Sequence, residues 1–178
     1  MDYLSLREME RKDLEEIVRI ERSSSPTPWS DQLFLAEIAN PLSYCFVAPS
    51  DTGSDHPILG FICFRNIGEE SELLNLCVHP RHRGRGLGRR LMRFYVEFCA
   101  QREIRTFHLE VSVLNQPALR LYTSFSYEPA GIRKGFYNGK VDALRMERKN
   151  KSGQSPAPIC KNKNGLDGMD DSIKPRLG

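Results

Sequence analysis

Glu72-Leu73-Leu74-Asn75-Leu76-Cys77-Val78-His79-Pro80, followed by Arg81-His82-Arg83-Gly84-Arg85-Gly86-Leu87-Gly88, is the stretch whose reading decides the fold. Glu72 to Val78 reads as an apolar strand, and His79-Pro80 ends it. From Leu87 onward, Leu87, Leu91, Phe94, Tyr95 and Phe98 recur at helical spacing, with Arg89, Arg90, Arg93 and Glu97 off that stripe. Between strand and helix, side-chain-free Gly84, Gly86 and Gly88 let backbone N–H groups close on an anion. The helix start adds the positive end of its dipole. Strand, glycine turn and helix together predict a pyrophosphate cradle.

Other glycine loops fit less well. A P-loop needs a Lys-Ser/Thr pair after its last glycine, and none follows. The dinucleotide fingerprint needs GxGxxG with an acid about twenty residues further on. Here the glycines run GxGxG, and no first βαβ unit stands near the N-terminus. The run does satisfy Arg-x-x-Gly-x-Gly, as Arg83, Gly86 and Gly88. The plain alternative is a glycine-rich turn capped by solvated arginines.

Outward from that stretch, Tyr3 to Arg7 alternates as a short strand, and Leu14 to Glu21 reads as a first helix. The run Ser23 to Pro28 breaks it, and Ser30 is placed to cap a second helix. Ser43 to Pro49 and Ile58 to Ile67 are predicted strands around a polar loop, Ser50 to Pro57. Beyond the signature helix come a strand over Thr106 to Val113 and a short helix from Pro117 to Phe125. Tyr127 to Tyr137 and Lys140 to Arg148 flank Asn138-Gly139, a strong hairpin turn. The order β-α-α-β-β-β-α-β-α-β-β predicts an α/β (α+β) domain over residues 1–149, a mixed sheet with helices on both faces. Residues 150–178 are too polar to fold a unit and read as a disordered tail.

Composition narrows the function classes. A chain of 178 residues suits one domain with a substantial core. A formal charge of +3 is too small for bulk nucleic-acid binding. Arg81, Arg83, Arg85, Arg89, Arg90 and Arg93 do crowd the turn and its helix, but their interleaving with glycine favours the phosphates of a small ligand over RNA. Cys45, Cys63, Cys77, Cys99 and Cys160 form no CxxC pair, and four lie in apolar runs, as core thiols of a reduced compartment do. The histidines show no metal-ligand spacing with them, so no metal is expected. With no signal peptide and no membrane-spanning run, the expectation is a cytoplasmic protein without a membrane partner.

The Arg83–Gly88 signature and the element order resemble the GNAT superfamily of N-acetyltransferases, whose co-substrate is acetyl-coenzyme A. Residues 1 to about 148 further resemble the bacterial ribosomal-protein-alanine N-acetyltransferases of the RimI type. The resemblance runs through Pro28-Trp29-Ser30, Leu74 to Pro80, Arg83 to Arg89, Leu109-Glu110-Val111, Asn115, Leu121-Tyr122, Ile132 to Tyr137, and Asp142-Ala143. Ser126 departs from the family's usual glycine, and Phe136-Tyr137 from its usual Tyr-Tyr. The acceptor implied is a protein N-terminus, a ribosomal protein's alanine foremost. A lysine side chain, or a small amine such as a polyamine or an aminoglycoside, stays open beside it.

Acetyl transfer from a thioester needs a neutral amine, a stabilised oxyanion and a proton for the departing thiolate. An α-amine of pKa about 8 is roughly a tenth neutral at pH 7, and a lysine near 10.4 only about 0.04 %. An N-terminal acceptor therefore needs only a modest base. Glu110 alternates against Phe107, Leu109 and Val111, and a mid-strand carboxylate should look into a cleft. The resemblance makes Glu110 the base, with a solvated strand-face carboxylate as the plain alternative. Tyr122 shares a helical stripe with Ala118, Leu121 and Phe125 and alone would read as core; the resemblance makes it the acid that protonates the thiolate. Cofactor contacts are implied for the Leu76, Cys77 and Val78 segment through its backbone, for Arg83, Gly84, Arg85, Gly86, Leu87, Gly88 and Arg89 at the phosphates, and for Asn115 on the pantetheine arm, with a simple turn residue before Pro117 the equal alternative for Asn115. Trp29 and Tyr137 are expected to line the acceptor groove, with Trp29 as core anchor of the second helix the equal alternative.

Overall fold

A computed structural model describes residues 5–50 and 57–150 of the chain. Strand β1 is Arg7–Glu8, followed by helices α1 (Leu14–Arg22) and α2 (Asp31–Ala39). Strands β2 (Ser43–Pro49), β3 (Ile58–Ile67) and β4 (Glu70–Val78) lead to α3 (Leu87–Ala100). Then come β5 (Thr106–Ser112), α4 (Gln116–Thr123), β6 (Glu128–Tyr137) and β7 (Val141–Lys149). The seven strands form one sheet in the order β1-β2-β3-β4-β5-β7-β6. Every neighbouring pair is antiparallel except β4 and β5, which α3 joins as a crossover. The fold is the expected mixed α/β sheet.

Two apolar clusters sandwich it. On one face α3 and α4 bring Leu91, Tyr95 and Tyr122 onto Phe64, Leu73 and Leu109. On the other, α1 and α2 bring Ile17, Ile20 and Phe34 onto Val47, Phe61 and Cys77. Cys45, Cys63, Cys77 and Cys99 are buried free thiols, as their apolar settings foretold.

The local rules mostly hold. Ser30 caps α2 by accepting the Leu33 N–H at 3.3 Å. Asn138 and Gly139 have φ of 54° and 68°, the pair of left-handed residues that a tight hairpin turn wants. Differences cluster at the ends. The first strand pairs at Arg7 and Glu8, with Val47 and Phe46, one step beyond the expected Tyr3–Arg7, of which residues 3 and 4 lie outside the described residues. Residues 51–56 of the expected loop also lie outside, although Ser50 N–H closes on the Pro57 carbonyl at 3.0 Å. The tail reading falls outside the described residues too, apart from Asn150. That residue is no tail: its N–H donates to Arg105 O at 2.8 Å and its Nδ2 to Ile104 O at 3.0 Å. Ser126 follows α4 at φ 63°, the left-handed conformation that explains the glycine usual there.

One irregularity builds the site. Cys63 faces Asn75 but Phe64 faces Leu73, so Leu74 is an extra residue bulged out of β4. The parallel ladder between β4 and β5 ends at Leu73–Leu109, where the bulge begins. A bulge bends and twists its strand. Past this point β4 and β5 part, and the backbone of Leu74 to Val78 no longer pairs with β5.

Candidate active site at the parting of two strands

The direction of the free backbone groups follows from one hydrogen bond. His79 N–H donates to Leu59 O of β3 at 2.9 Å. Backbone groups alternate edges along a strand, so Cys77 also faces β3 while Leu76 and Val78 face the gap. Leu76 and Val78 are therefore the residues whose backbone can meet a ligand lying between the strands. Cys77 contributes a buried side chain instead, its thiol pushed up to about 11 by burial.

At the end of β4 the glycines divide their labour. Gly84 and Gly86 have φ of 73° and 79°, and an added Cβ would meet nothing within 4 Å at either. Conformation reserves those two positions for glycine. Gly88 lies inside the first turn of α3, where a Cβ would stand 3.4 Å from Leu121 Cδ2 and 3.9 Å from Val78 Cγ2. Its reason is close packing of α3 against α4 and β4. Gly86 is the N-cap of α3 and no side chain caps the helix, while the first bond back runs from Arg90 N–H to Gly86 O. The N–H groups of Leu87, Gly88 and Arg89 thus stand at the open positive end of a 14-residue helix. This set of donors suits a pyrophosphate.

The arginines are placed less uniformly than expected. Arg89 is exposed beside the same turn, its guanidinium 5.9 Å from the Phe125 ring centroid. Arg85 is exposed within the turn. Arg83, expected at the phosphates, turns back instead: its Nε donates to Val78 O at 3.2 Å and its Nη2 to Ser24 Oγ at 2.6 Å. Asn115 also has prior work, its side-chain oxygen capping α4 by accepting the Ala118 N–H at 3.2 Å.

On the other side of the gap, β5 alternates as its sequence dictates. Phe107, Leu109 and Val111 are buried while His108, Glu110 and Ser112 stay half-buried on the opposite face. Glu110 lines an open cavity of about 600 Å³ together with Glu72, His108, Arg133, Arg145 and Glu147. Its carboxylate meets Arg133 Nη1 at 3.3 Å. That partner comes from β6, 23 residues away, and spacing gave no signal of it. Arg133 in turn lies 4.3 Å from the Phe136 ring centroid.

Tyr122 is buried beneath the gap, its ring 6.1 Å from that of Tyr127. Burial first, then the neighbouring Tyr137 and Cys77, drive its phenol pKa well above the usual value. Tyr137 is half-buried at the end of β6, and its phenol is raised by burial and by the Glu110 charge, against a Ser112 backbone N–H that stabilises the phenolate. Glu110, Tyr137, Tyr122 and Cys77 therefore form a chain of electrostatic neighbours across the parting strands. Trp29 sits elsewhere, half-buried on Phe34 with ring centroids 5.2 Å apart, its backbone N–H donating to buried Glu21 at 3.2 Å. Neither Trp29 nor Tyr137 lines the cavity at Glu110. Among the described residues no cluster of His, Cys, Asp or Glu is arranged to hold a metal, and no helix is long and apolar enough to cross a membrane.

Comparison with known proteins agrees with this geometry. Residues 14–127 match the acetyltransferase (GNAT) family. A Bacillus subtilis (strain 168) protein, provisionally named a ribosomal protein bS18-alanine N-acetyltransferase, is 35% identical over 145 residues, 80% of this chain and 93% of that protein. The ribosomal protein bS18-alanine N-acetyltransferase of Escherichia coli (strain K12) is 28% identical over 141 residues, 78% of this chain and 92% of that protein. The crystal structure of the ribosomal-protein-S18-alanine N-acetyltransferase from Escherichia coli superimposes with a TM-score of 0.75 at 25% identity, covering 87% of this chain and 99% of that one. A bulge that parts two parallel strands, a glycine turn opening onto an uncapped helix and these relatives agree: the chain belongs to the GNAT family of acetyltransferases, whose acyl donor is acetyl-coenzyme A.

Proposed function

We propose that this acetyltransferase modifies the N-terminal α-amine of a protein, an alanine of a ribosomal protein foremost. Two of the relatives above carry that activity in their names, and both span nearly their whole length. The observation that carries the reading is the half-buried carboxylate of Glu110, one residue past the last β4–β5 pair and on the side of the sheet opposite α3. One such base suits an α-amine, which costs about 3 kcal/mol less to deprotonate at neutral pH than a lysine.

Acetyl-coenzyme A supplies the activated acetyl group. Its pyrophosphate would rest on the N–H groups of Leu87, Gly88 and Arg89 in the Gly84–Gly86 turn, with the Arg89 and Arg85 charges alongside. In the gap, the Leu76 and Val78 N–H groups would meet the pantetheine amide and the acetyl carbonyl; a donor aimed at the developing oxyanion lowers the barrier by roughly 3 kcal/mol. Glu110, held by Arg133, takes the proton of the incoming amine, through a water where the reach is long. Tyr122 keeps its proton across the working pH range because burial raises it. Full transfer from so weak an acid to a thiolate is uphill, so Tyr122 acts first as a hydrogen-bond donor that stabilises the departing sulfur. Tyr137, between Glu110 and Tyr122, orders the space where amine and thioester meet.

The test is the initial rate on a peptide beginning with alanine against its N-terminally blocked twin carrying an internal lysine, with spermidine as a small-amine control. Acetylation confined to the free α-amine is the expected result. An equal or higher rate on the blocked peptide or on spermidine refutes the assignment.

A further inference from the structure

The side chain of Arg83 spans two chain segments that lie far apart in the sequence. One is the last residue of β4, whose carbonyl accepts from Nε at 3.2 Å; the other is Ser24, whose hydroxyl accepts from Nη2 at 2.6 Å. Ser24 stands 59 residues earlier in the chain, two residues past α1, in the connection that carries Trp29 to α2. Beside it, Glu21, 3% exposed in the last turn of α1, accepts the Trp29 backbone N–H at 3.2 Å, and Asn75 is near enough to favour its carboxylate charge. Asn75 and Val78 both belong to the part of β4 that has left β5. The α1–α2 connection is thus fastened through Arg83 to the end of β4 and to the glycine turn itself.

We infer that Arg83 is a positioning residue that couples the two substrate sites, with Ser24 as its partner. Acetyl-coenzyme A, by holding the Arg83–Gly88 turn in one arrangement, fixes the Ser24–Trp29 connection and so completes a wall of the acceptor site. The arginine of the signature therefore acts through the connection and not as a phosphate ligand. The fork of a guanidinium can bond both segments at once, and a lysine at this position could not. This rests on the proposed function and on the expectation that Trp29 lines the acceptor groove, which makes the connection acceptor-facing.

The coupling has a readout that needs no acceptor. Amide hydrogen exchange at Ser24, Ser25, Thr27 and Trp29 is measured with and without acetyl-coenzyme A in the wild type, Ser24→Ala, Ser24→Thr and Arg83→Lys. The wild type and Ser24→Thr gain protection on binding; Ser24→Ala and Arg83→Lys gain little. In parallel, Ser24→Ala raises the KM for an alanine-initiated peptide about fivefold, the value of one hydrogen bond to a charged group at a partly exposed site, and leaves kcat and the acetyl-coenzyme A Kd within twofold. Ser24→Thr restores the KM, and Ser24→Ala combined with Arg83→Lys is no worse than either alone. Exchange at these amides that acetyl-coenzyme A does not change in the wild type overturns the coupling, whatever the acceptor proves to be. Additive KM effects overturn the pairing of Ser24 with Arg83. A wild type that ignores all N-terminal peptides but shows the exchange effect refutes the acceptor assignment and leaves the coupling standing.

Discussion

Replacing Gly86 and Gly88 one at a time by alanine should have opposite effects, although the signature treats the two alike. Gly86 sits at φ 79° with no atom within 4 Å of a prospective Cβ. Alanine there costs about 1–2 kcal/mol of left-handed backbone strain. Restriction of the unfolded chain returns about 0.4–1 kcal/mol of that. The net loss is about 1 kcal/mol, or about 2–4 °C in Tm for a domain of this size. The strain is relieved by turning the peptide planes that aim the cradle's N–H groups, so acetyl-coenzyme A affinity should fall by about tenfold or more, roughly one charge-assisted hydrogen bond. Gly88 is helical, and its Cβ would make ordinary contacts of 3.4 Å to Leu121 and 3.9 Å to Val78. Alanine there gains up to ~1 kcal/mol of helix propensity, so Gly88→Ala should keep or raise Tm and bind within about threefold of wild type. Gly88→Val should lose stability, because its γ-carbons enter the space of Leu121 and Val78. Thermal unfolding and calorimetric titration with acetyl-coenzyme A decide it. Gly86→Ala with wild-type affinity and Tm would refute the conformational argument, and loss of folding in Gly88→Ala would refute the packing one.

Glu110→Gln should lower kcat on an alanine-initiated peptide about 100-fold at pH 7 with little change in acetyl-coenzyme A affinity. The deficit should shrink towards pH 9 as more amine is already neutral; a pH-independent loss in the rate profile would show that Glu110 is not the base. Ser126→Gly should raise Tm by about 2 °C, since the strain of about 1–2 kcal/mol removed at φ 63° exceeds the roughly 0.4–1 kcal/mol lost to a freer unfolded chain, and an unchanged Tm in calorimetry would count against that cost. Burial holds the Glu21 carboxyl above its ordinary value despite its bond from Trp29 and the nearby Asn75 side chain. The stability this group contributes is full below the ordinary carboxylate range and is lost as pH rises through the raised value. Glu21→Gln removes that loss, so denaturant midpoints of the variant should gain on wild type as pH climbs through this window, and parallel curves would contradict the direction.

Most of the element order was legible in the sequence because it rests on local rules. Residues at helical or alternating spacing decide what can be buried, and Ser30 and Asn138-Gly139 mark their cap and turn by their own chemistry. The glycine turn was legible for the same reason, since Gly84 and Gly86 adopt a backbone that other residues resist. Glu110 could be placed on the open face of β5 from alternation alone, but its role and that of Tyr122 came from family resemblance, as a buried tyrosine on an apolar stripe looks like any core residue. Tertiary structure alone decided the rest. The Leu74 bulge follows from how β3 and β4 register, the Glu110–Arg133 pair from β6 folding back across β7 and β5, and the Arg83–Ser24 bond from α1 packing beside the end of β4. Each joins residues whose separation along the chain carries no periodic or steric trace. Local sequence limits the backbone a segment can adopt, while the partner of an exposed charge is set by whichever strand or helix burial of the core brings beside it.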